Sequence, residues 1–74
     1  MDVMLFGMIA EKAGTDRIEV HAVSTGVLRQ VLAERIKGLE GLSYSIAVDR
    51  TIVHEDISFT GSEEIAVLPP FAGG

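Results

Sequence analysis

Only one long stretch of this sequence has the periodicity of an amphipathic helix, and this limits the fold to a sheet covered on one face. Across residues 26–37, apolar side chains recur every three or four positions, the spacing of a helix with one apolar face. The segments before and after it have strand-like patterns. One helix cannot cover both faces of a sheet, so we predict an α+β fold in which a mixed sheet carries one main helix.

Strand signals flank this helix on both sides. In residues 17–23 polar and apolar side chains alternate, which is the clearest strand pattern in the chain. Asp49 and Arg50 are predicted to form a tight turn between two later strands. The other strands are predicted at residues 3–6, 43–48, 51–53 and 65–68.

The ends of the helices are marked by capping residues. A short helix is predicted over residues 8–13, with Gly14 as its stop. Ser24 or Thr25 is positioned to cap the main helix, and Gly38 to end it in a left-handed conformation.

The loop at residues 54–61 separates the last two predicted strands. Ile57 and Phe59 are predicted to tuck under the body of the fold. Asp56, Glu63 and Glu64 are interpreted as solvated turn residues.

The 74 residues include no cysteine and 47% hydrophobic residues, so one small domain must be stabilised by packing alone. This composition is typical of a reducing compartment. It also excludes chemistry on a cysteine thiol: a sulfur atom carried by this chain has to be attached elsewhere.

The formal net charge of −5 disfavours nucleic acid or an anionic membrane as the main partner. An acidic protein is instead attracted to a basic protein surface. The apolar runs are much shorter than the ~20 residues that span a bilayer, and the N-terminus lacks the pattern of a signal peptide. We therefore expect a soluble cytoplasmic protein.

No catalytic, metal-binding or cofactor-binding constellation is evident. His21 lies on the polar side of a predicted strand and His54 in a loop, and neither has a ligand partner at metal-binding spacing. The glycines lack the lysine and hydroxyl that accompany a phosphate-binding loop. We expect both histidines to be surface residues and the chain to bind no cofactor and no metal.

The last strand runs directly into a segment that contains two prolines and closes with two glycines. We divide the chain into a folded domain, residues 1–68, and an extended, flexible C-terminal tail, residues 69–74. Each proline fixes its own φ and favours extended backbone before it. Six extended residues reach about 20 Å, which is enough to enter a buried site in another protein.

The tail has the features of a chain end that threads a narrow channel. Gly73 and Gly74 present the smallest cross-section that a backbone can have. We expect the tail and channel-threading residues to be Pro69, Pro70, Phe71, Ala72 and Gly73.

An apolar strand followed at the very end by Pro-Pro, an apolar residue, a small residue and Gly-Gly resembles the ubiquitin-like sulfur-carrier family, specifically the small subunits of molybdopterin synthase. The resemblance covers nearly the whole chain, although only the tail is specific. The turn at Gly61 and Ser62 departs from the Asp-Gly usual in that family. Other matching segments are residues 3–6, 14–16, 28–30, 47–48, 51–53 and 64–66.

The resemblance implies a β-grasp fold, with the first and last strands parallel and side by side at the centre of the sheet. It also implies a function for Gly74. An adenylyltransferase would activate the terminal carboxylate with ATP and magnesium bound in that enzyme, and a sulfur donor would convert it to a thiocarboxylate. The large synthase subunit would then use this sulfur to convert a cyclic pterin precursor to molybdopterin. The chain itself would be a carrier and not an enzyme.

The uncovered sheet face is the predicted partner interface. If Val3 and Leu5 point inward, alternation puts Phe6 on the outer face, and the same argument puts Leu68 there. Exposed apolar residues grouped in this way usually mark an interface. In the resembling family the positions that match Phe6, Ile52 and Leu68 dock onto the activating enzyme and the large subunit.

Three alternatives remain open from the sequence. The same carrier chemistry could serve thiamine, cysteine or a tungsten cofactor. The chain could instead be a protein modifier joined to lysines through isopeptide bonds, or a noncovalent interaction module whose tail is incidental.

Overall fold

The structure is a computed structural model that describes residues 1–70 of the chain. The predictions for Phe71, Ala72, Gly73 and Gly74 therefore lie outside the described residues. The elements in chain order are β1 (Asp2–Leu5), α1 (Gly7–Ala13), β2 (Arg17–Glu19), α2 (Thr25–Arg35), a 3-10 turn (Leu39–Gly41), β3 (Ser45–Val48), β4 (Thr51–Val53) and β5 (Ile65–Leu68).

The five strands form one mixed sheet in the order β2-β1-β5-β3-β4. β1 and β5 pair in parallel, and the other neighbours pair antiparallel. The predicted central pair of first and last strands is therefore confirmed. This pairing brings the start of the chain next to the strand that leads into the tail.

The core lies between α2 and the inner face of the sheet. Leu28 and Leu32 of α2, and Ile36 directly after the helix, are each no more than 1% exposed. They face a layer of strand residues that are at most 2% exposed, namely Val3, Leu5, Ile46, Ile65 and Val67. The helix predicted from the apolar spacing therefore supplies one wall of the core, and within residues 1–70 the outer sheet face has no helix on it.

Helix α1 begins and ends close to its predicted bounds. Gly14 has a φ of 77°, and its amide donates to the carbonyl of Ala10 at 2.9 Å. This left-handed residue stops the helix as predicted.

Helix α2 begins as predicted but ends two residues early. The Ser24 hydroxyl accepts a hydrogen bond from the Val27 amide at 3.2 Å, which confirms the cap. The prediction that the helix continues to Lys37 is wrong, because Ile36 already has extended backbone. Gly38, with a φ of 86°, instead opens the 3-10 turn, and this lets Leu39 pack into the core.

Strand β2 is shorter than its alternating pattern indicated. It ends at Glu19, although the alternation continues to Ala22. The carbonyl of Val23 accepts the Phe59 amide at 2.8 Å, and Ser24 forms an isolated bridge with Ser58. The chain after β2 therefore leaves the sheet and pairs with the loop that precedes β5.

The hairpin between β3 and β4 is confirmed. Asp49 and Arg50 have φ values of 50° and 70°, the conformation of the two-residue turns that match the twist of a hairpin. Within residues 1–70, the helices lack the length and apolar character needed to cross a membrane.

Candidate functional site

The outer sheet face next to the tail carries exposed apolar side chains, as the alternation predicted. Val3 and Leu5 are buried at 0% and 2% exposure, so their neighbours along β1 point to the other face. Phe6 follows β1 and is 42% exposed. An aromatic ring in contact with water has no role in the core.

Leu68 lies beside Phe6 on the neighbouring strand. The parallel register pairs Leu5 with Val67, and the Phe6 amide donates to the carbonyl of Val67 at 3.2 Å. The next residue of β5, Leu68, is half-buried on the outer face. The structure therefore brings these two predicted interface residues together at the root of the tail.

Ile52 lies on the same face but farther away. It pairs with Ala47 across β3 and β4, and Ala47 pairs with Ala66 of β5. At about 4.8 Å per strand, Ile52 is about 10 Å from the β5 row. It is 40% exposed. Together Phe6, Leu68 and Ile52 border a shallow surface whose floor is the two alanines, and we call this surface the apolar face.

The root of the tail is in contact with the start of α1. A Cβ atom built on Gly7 would lie 2.9 Å from Cγ of Pro69. Gly7 also has a φ of 57°, which is favourable only for glycine and a few polar residues. The first residue after β5 therefore lies against α1, and Pro70 beyond it is exposed.

The loop before β5 is attached to the N-terminus of α2 through Thr25. This is the buried polar residue of the core region, at 2% exposure. Its hydroxyl donates to the carbonyl of Glu55 at 3.0 Å and accepts the amide of Ile57 at 2.8 Å. The sequence offered Thr25 only as one of two possible caps. Its connection to the loop could not be predicted without the tertiary contact.

Asp56 is part of the same junction; it is exposed to solvent as predicted, but its carboxylate also makes hydrogen bonds that the sequence did not predict. Its carboxylate accepts the amide of Gly26 at 2.8 Å and lies 3.2 Å from the Thr25 hydroxyl. The hydrogen bond from the Gly26 amide is the main cause that lowers the pKa of Asp56 below its usual value of 3.8. A carboxylate at a helix N-terminus also complements the helix dipole.

Glu63 is likewise bound to backbone and not simply solvated. It accepts the amides of Thr60 and Gly61 at 2.7 Å and 2.9 Å. The Thr60 amide is the main cause that lowers its pKa. These contacts close the turn that leads into β5.

The described residues offer no evident site for chemistry. In residues 1–70, no group of three or more histidine, cysteine or carboxylate residues is placed to hold a metal ion. His21 and His54 are both exposed, as predicted. The features that remain are the apolar face and the segment that begins at Pro69.

Comparison with known proteins identifies a family and a relative. The ThiS family matches residues 3–74 of the chain. The molybdopterin synthase sulfur carrier subunit of Escherichia coli (strain K12) is 35% identical over 78 aligned positions, which cover 97% of this chain and 96% of the relative. Both matches extend over nearly the whole sequence.

Solved structures with the same fold include two crystal structures from Haloferax volcanii. Small archaeal modifier protein 1 superposes with a TM-score of 0.76 at 19% identity, covering 95% of both chains. A second structure, of SAMP1, gives 0.75 at 21% identity, covering 99% of this chain and 97% of that one. At this identity the likeness shows the fold, and it confirms the predicted ubiquitin-like β-grasp architecture.

A third structure has higher sequence identity. It is a complex of subunits 1 and 2 of the molybdopterin-converting factor from Helicobacter pylori 26695. The match has a TM-score of 0.72 and 26% identity, and covers 99% of this chain and 96% of that one.

Proposed function

The chain belongs to the ThiS family, and from this premise we propose that it is a sulfur carrier that works through the carboxylate of Gly74. The thiocarboxylated form would supply sulfur to the large subunit of molybdopterin synthase, which converts a cyclic pterin precursor to molybdopterin. The chain is the non-catalytic small subunit of that complex. We assign it to the cytoplasm.

One observation carries this proposal. The E. coli relative, a molybdopterin synthase sulfur carrier subunit, aligns with 97% of the chain at 35% identity. The family match reaches residue 74 and so includes Gly73 and Gly74. The H. pylori complex of two converting-factor subunits supports a large-subunit partner.

The chemistry of the terminus explains why two partners are needed. A carboxylate is a poor acyl donor because it has no good leaving group. In the proposed first step, an oxygen of Gly74 attacks the α-phosphorus of ATP and pyrophosphate leaves. In the second step, sulfide from a donor attacks the acyl carbon and AMP leaves, so that one carboxylate oxygen is replaced by sulfur. ATP and magnesium are bound by the adenylyltransferase.

Sulfur transfer takes place in the large subunit. There the thiocarboxylate sulfur attacks a carbon of the pterin precursor and displaces an oxygen leaving group from it. Water then attacks the acyl carbon and breaks its bond to sulfur, which leaves the sulfur on the product and restores the carboxylate of Gly74. The acids and bases for these steps belong to the partners. Within this chain, Gly73 provides access to the narrow site, while Pro70 and Phe71 direct the tail toward it.

The apolar face is the proposed docking surface for both partners. Phe6 and Leu68 lie at the root of the tail, so a partner that covers them also receives the tail. In the part of the chain that the structure describes, the sheet has no helix on this side. Burying such a face against a partner is favourable by about 25 cal/mol for each Å² of apolar surface removed from water.

Reconstitution tests the proposal. The chain is incubated with the adenylyltransferase, ATP, magnesium and a sulfur donor, and then with the large subunit and the cyclic pterin precursor. We expect molybdopterin to form in proportion to the amount of loaded chain, and none to form with a chain that lacks Gly74. If the large subunit does not consume the loaded chain and an acceptor of the thiamine or cysteine pathway does, the carrier belongs to that pathway.

A different class of result would exclude the carrier role. A protein modifier would give a ladder of larger adducts in denaturing gels, because its carboxylate is joined to lysine side chains. If deletion of Gly74 left partner function intact, the tail would be incidental.

A further inference from the structure

The outer face of the sheet changes from apolar to acidic along the strands. The apolar face lies toward the end at which β5 continues into Pro69. At the opposite end of the same face lies a row of carboxylates, which we call the acidic row: Glu19, Asp2 and Glu64.

The strand register places these carboxylates side by side. Asp2 and Glu19 are directly opposite each other in the β1–β2 pair. Val3 pairs with Ile65 in the parallel β1–β5 pair, so the preceding residues, Asp2 and Glu64, are also neighbours. Because Val3 and Ile65 are fully buried, the side chains before them point to the outer face. All three acidic side chains are exposed.

The fold gains little from this arrangement. Like charges directly opposite each other on a sheet are destabilising. Arg35 Nη1 donates to the carbonyl of Glu19 at 3.1 Å, and the N-terminal ammonium of Met1 directly precedes Asp2. The ion pair that the row itself forms is between Arg50 Nε and Glu64 Oε2, which are 3.7 Å apart, and both side chains are mostly in water, at 85% and 51% exposure. Such exposed pairs contribute little. Arg17 lies on the same face, opposite Met4, which is two residues after Asp2 and therefore closer to the apolar face than the acidic row is.

We infer that the acidic row and the apolar face together form the docking surface. The acidic row binds lysine or arginine side chains of a partner protein, and these lie beside the apolar pocket of that partner. The inference rests on the proposed function, because it assigns the row to the same partners. Phe6 lies four residues after Asp2, just past the end of β1, so the apolar face and the acidic row are about 13 Å apart along the strands. The basic side chains of the partner are therefore expected about 13 Å from the pocket that receives Phe6 and Leu68.

Charge complementarity selects this occupant over others. Nucleic acid and anionic lipid have the wrong sign for a row of carboxylates in a chain of net charge −5. A second copy of the chain would bring another surface of the same net charge. A basic partner is attracted over a distance and relieves the repulsion within the row when it docks.

The test uses two variants with the same change in charge. The row variant carries Asp2→Asn, Glu19→Gln and Glu64→Gln. The control variant carries Glu11→Gln, Glu34→Gln and Glu40→Gln, which are exposed residues on α1, α2 and the 3-10 turn. Association with the large synthase subunit is followed by stopped flow at low and high ionic strength.

At low ionic strength we expect the row variant to associate about tenfold more slowly than the unmodified chain, and the control variant to remain within about twofold. The difference should disappear at high ionic strength, where the charges are screened. Equal association rates for the two variants would overturn the inference but leave the proposed function intact. No binding by the unmodified chain would overturn both.

A second measurement needs no partner. If the row is under like-charge repulsion, the row variant should melt at a higher temperature than the unmodified chain at low salt, and the gain should shrink as salt is added. The control variant should show no comparable gain. A row variant that melts below the unmodified chain at low salt would show that the carboxylates serve the fold, contrary to the inference.

Discussion

Gly7 and Pro69 are in contact at the point where the chain leaves the sheet: a Cβ atom on Gly7 would lie 2.9 Å from Cγ of Pro69. The two residues belong to neighbouring ends of the parallel β1–β5 pair. The contact means that the start of α1 determines where the first tail residue can lie. The direction in which the tail leaves the domain is thus set by the folded domain as well as by the prolines.

Replacing Gly7 with alanine tests this contact. Both Gly7 and Gly14 have positive φ, but a Cβ on Gly14 meets no described atom within 4 Å. We expect Gly14→Ala to lower the free energy of unfolding by about 1 kcal/mol through backbone strain. Gly7→Ala should lower the free energy of unfolding by about 1 kcal/mol more than Gly14→Ala, because its new methyl group also displaces Pro69. Urea unfolding of the two variants measures the difference, and equal losses would show that Pro69 moves away freely.

Thr25→Val tests the junction between α2 and the loop. The change keeps the side-chain shape but removes a buried hydroxyl, leaving the Ile57 amide without its acceptor. We expect a loss of about 1–3 kcal/mol in the free energy of unfolding. Thr51→Val on the exposed edge strand β4 is the control and should be close to neutral. A Thr25→Val variant as stable as the control would mean that these hydrogen bonds contribute nothing.

Asp56 should make stability depend on pH in the acidic range. Its pKa is lower in the folded chain than the ordinary 3.8, mainly because the Gly26 amide donates to its carboxylate. The folded state therefore favours the ionised form, and the resulting stability is complete well above pH 3.8 and lost as the pH falls through the folded pKa.

The measurement compares the unmodified chain with Asp56→Asn in urea unfolding at a series of pH values. We expect the variant to be less stable at neutral pH and the gap to narrow below pH 3.8. A gap that stays constant down to the lowest pH would show that the ionised carboxylate has no special role at the helix N-terminus.

The contribution of the apolar face to binding can be distinguished from that of an exposed apolar residue elsewhere on the surface. Phe6→Ala removes an aromatic ring that is 42% exposed, and Val23→Ala trims a side chain that is 72% exposed in the turn before α2. We expect Phe6→Ala to weaken binding to the large synthase subunit by about 2 kcal/mol, roughly 30-fold, as for a central interface aromatic. Val23→Ala should leave the affinity unchanged. Calorimetry measures both, and similar affinities would remove Phe6 from the interface.

The sequence predicted the elements best where side-chain pattern and packing agree. The spacing of Leu28 and Leu32 identified α2 because those residues are ones that the helix buries, and Ile36 continues the buried series just past its end. Polar and apolar residues alternate from Arg17 to Ala22, yet β2 ends at Glu19, because the chain turns away and Val23 pairs with the loop instead. Alternation records which side chains face inward, and it cannot show where a strand loses its partner.

The apolar face could be predicted from the sequence, but the contacts of Asp56 and the acidic row could not. Phe6 and Leu68 were placed on one face by alternation and by the family pairing of β1 with β5, and both placements hold. The role of Asp56 was missed because its partner, Gly26, is 30 residues away in sequence. An aspartate in a loop has no local sign that it caps a distant helix. The acidic row depends in the same way on strand register.

The proposed reactive group of this protein is the carboxylate of Gly74. The most direct measurement is the intact mass of the chain after incubation with ATP, magnesium, a sulfur donor and the adenylyltransferase. We predict a single increase that corresponds to the replacement of one oxygen by sulfur, located in the C-terminal peptide and absent when Gly74 is deleted. The adenylyltransferase is first shown to be active on its own known carrier. If the mass of this chain then stays unchanged, or if the chain without Gly74 shows the same increase, Gly74 is not the reactive group.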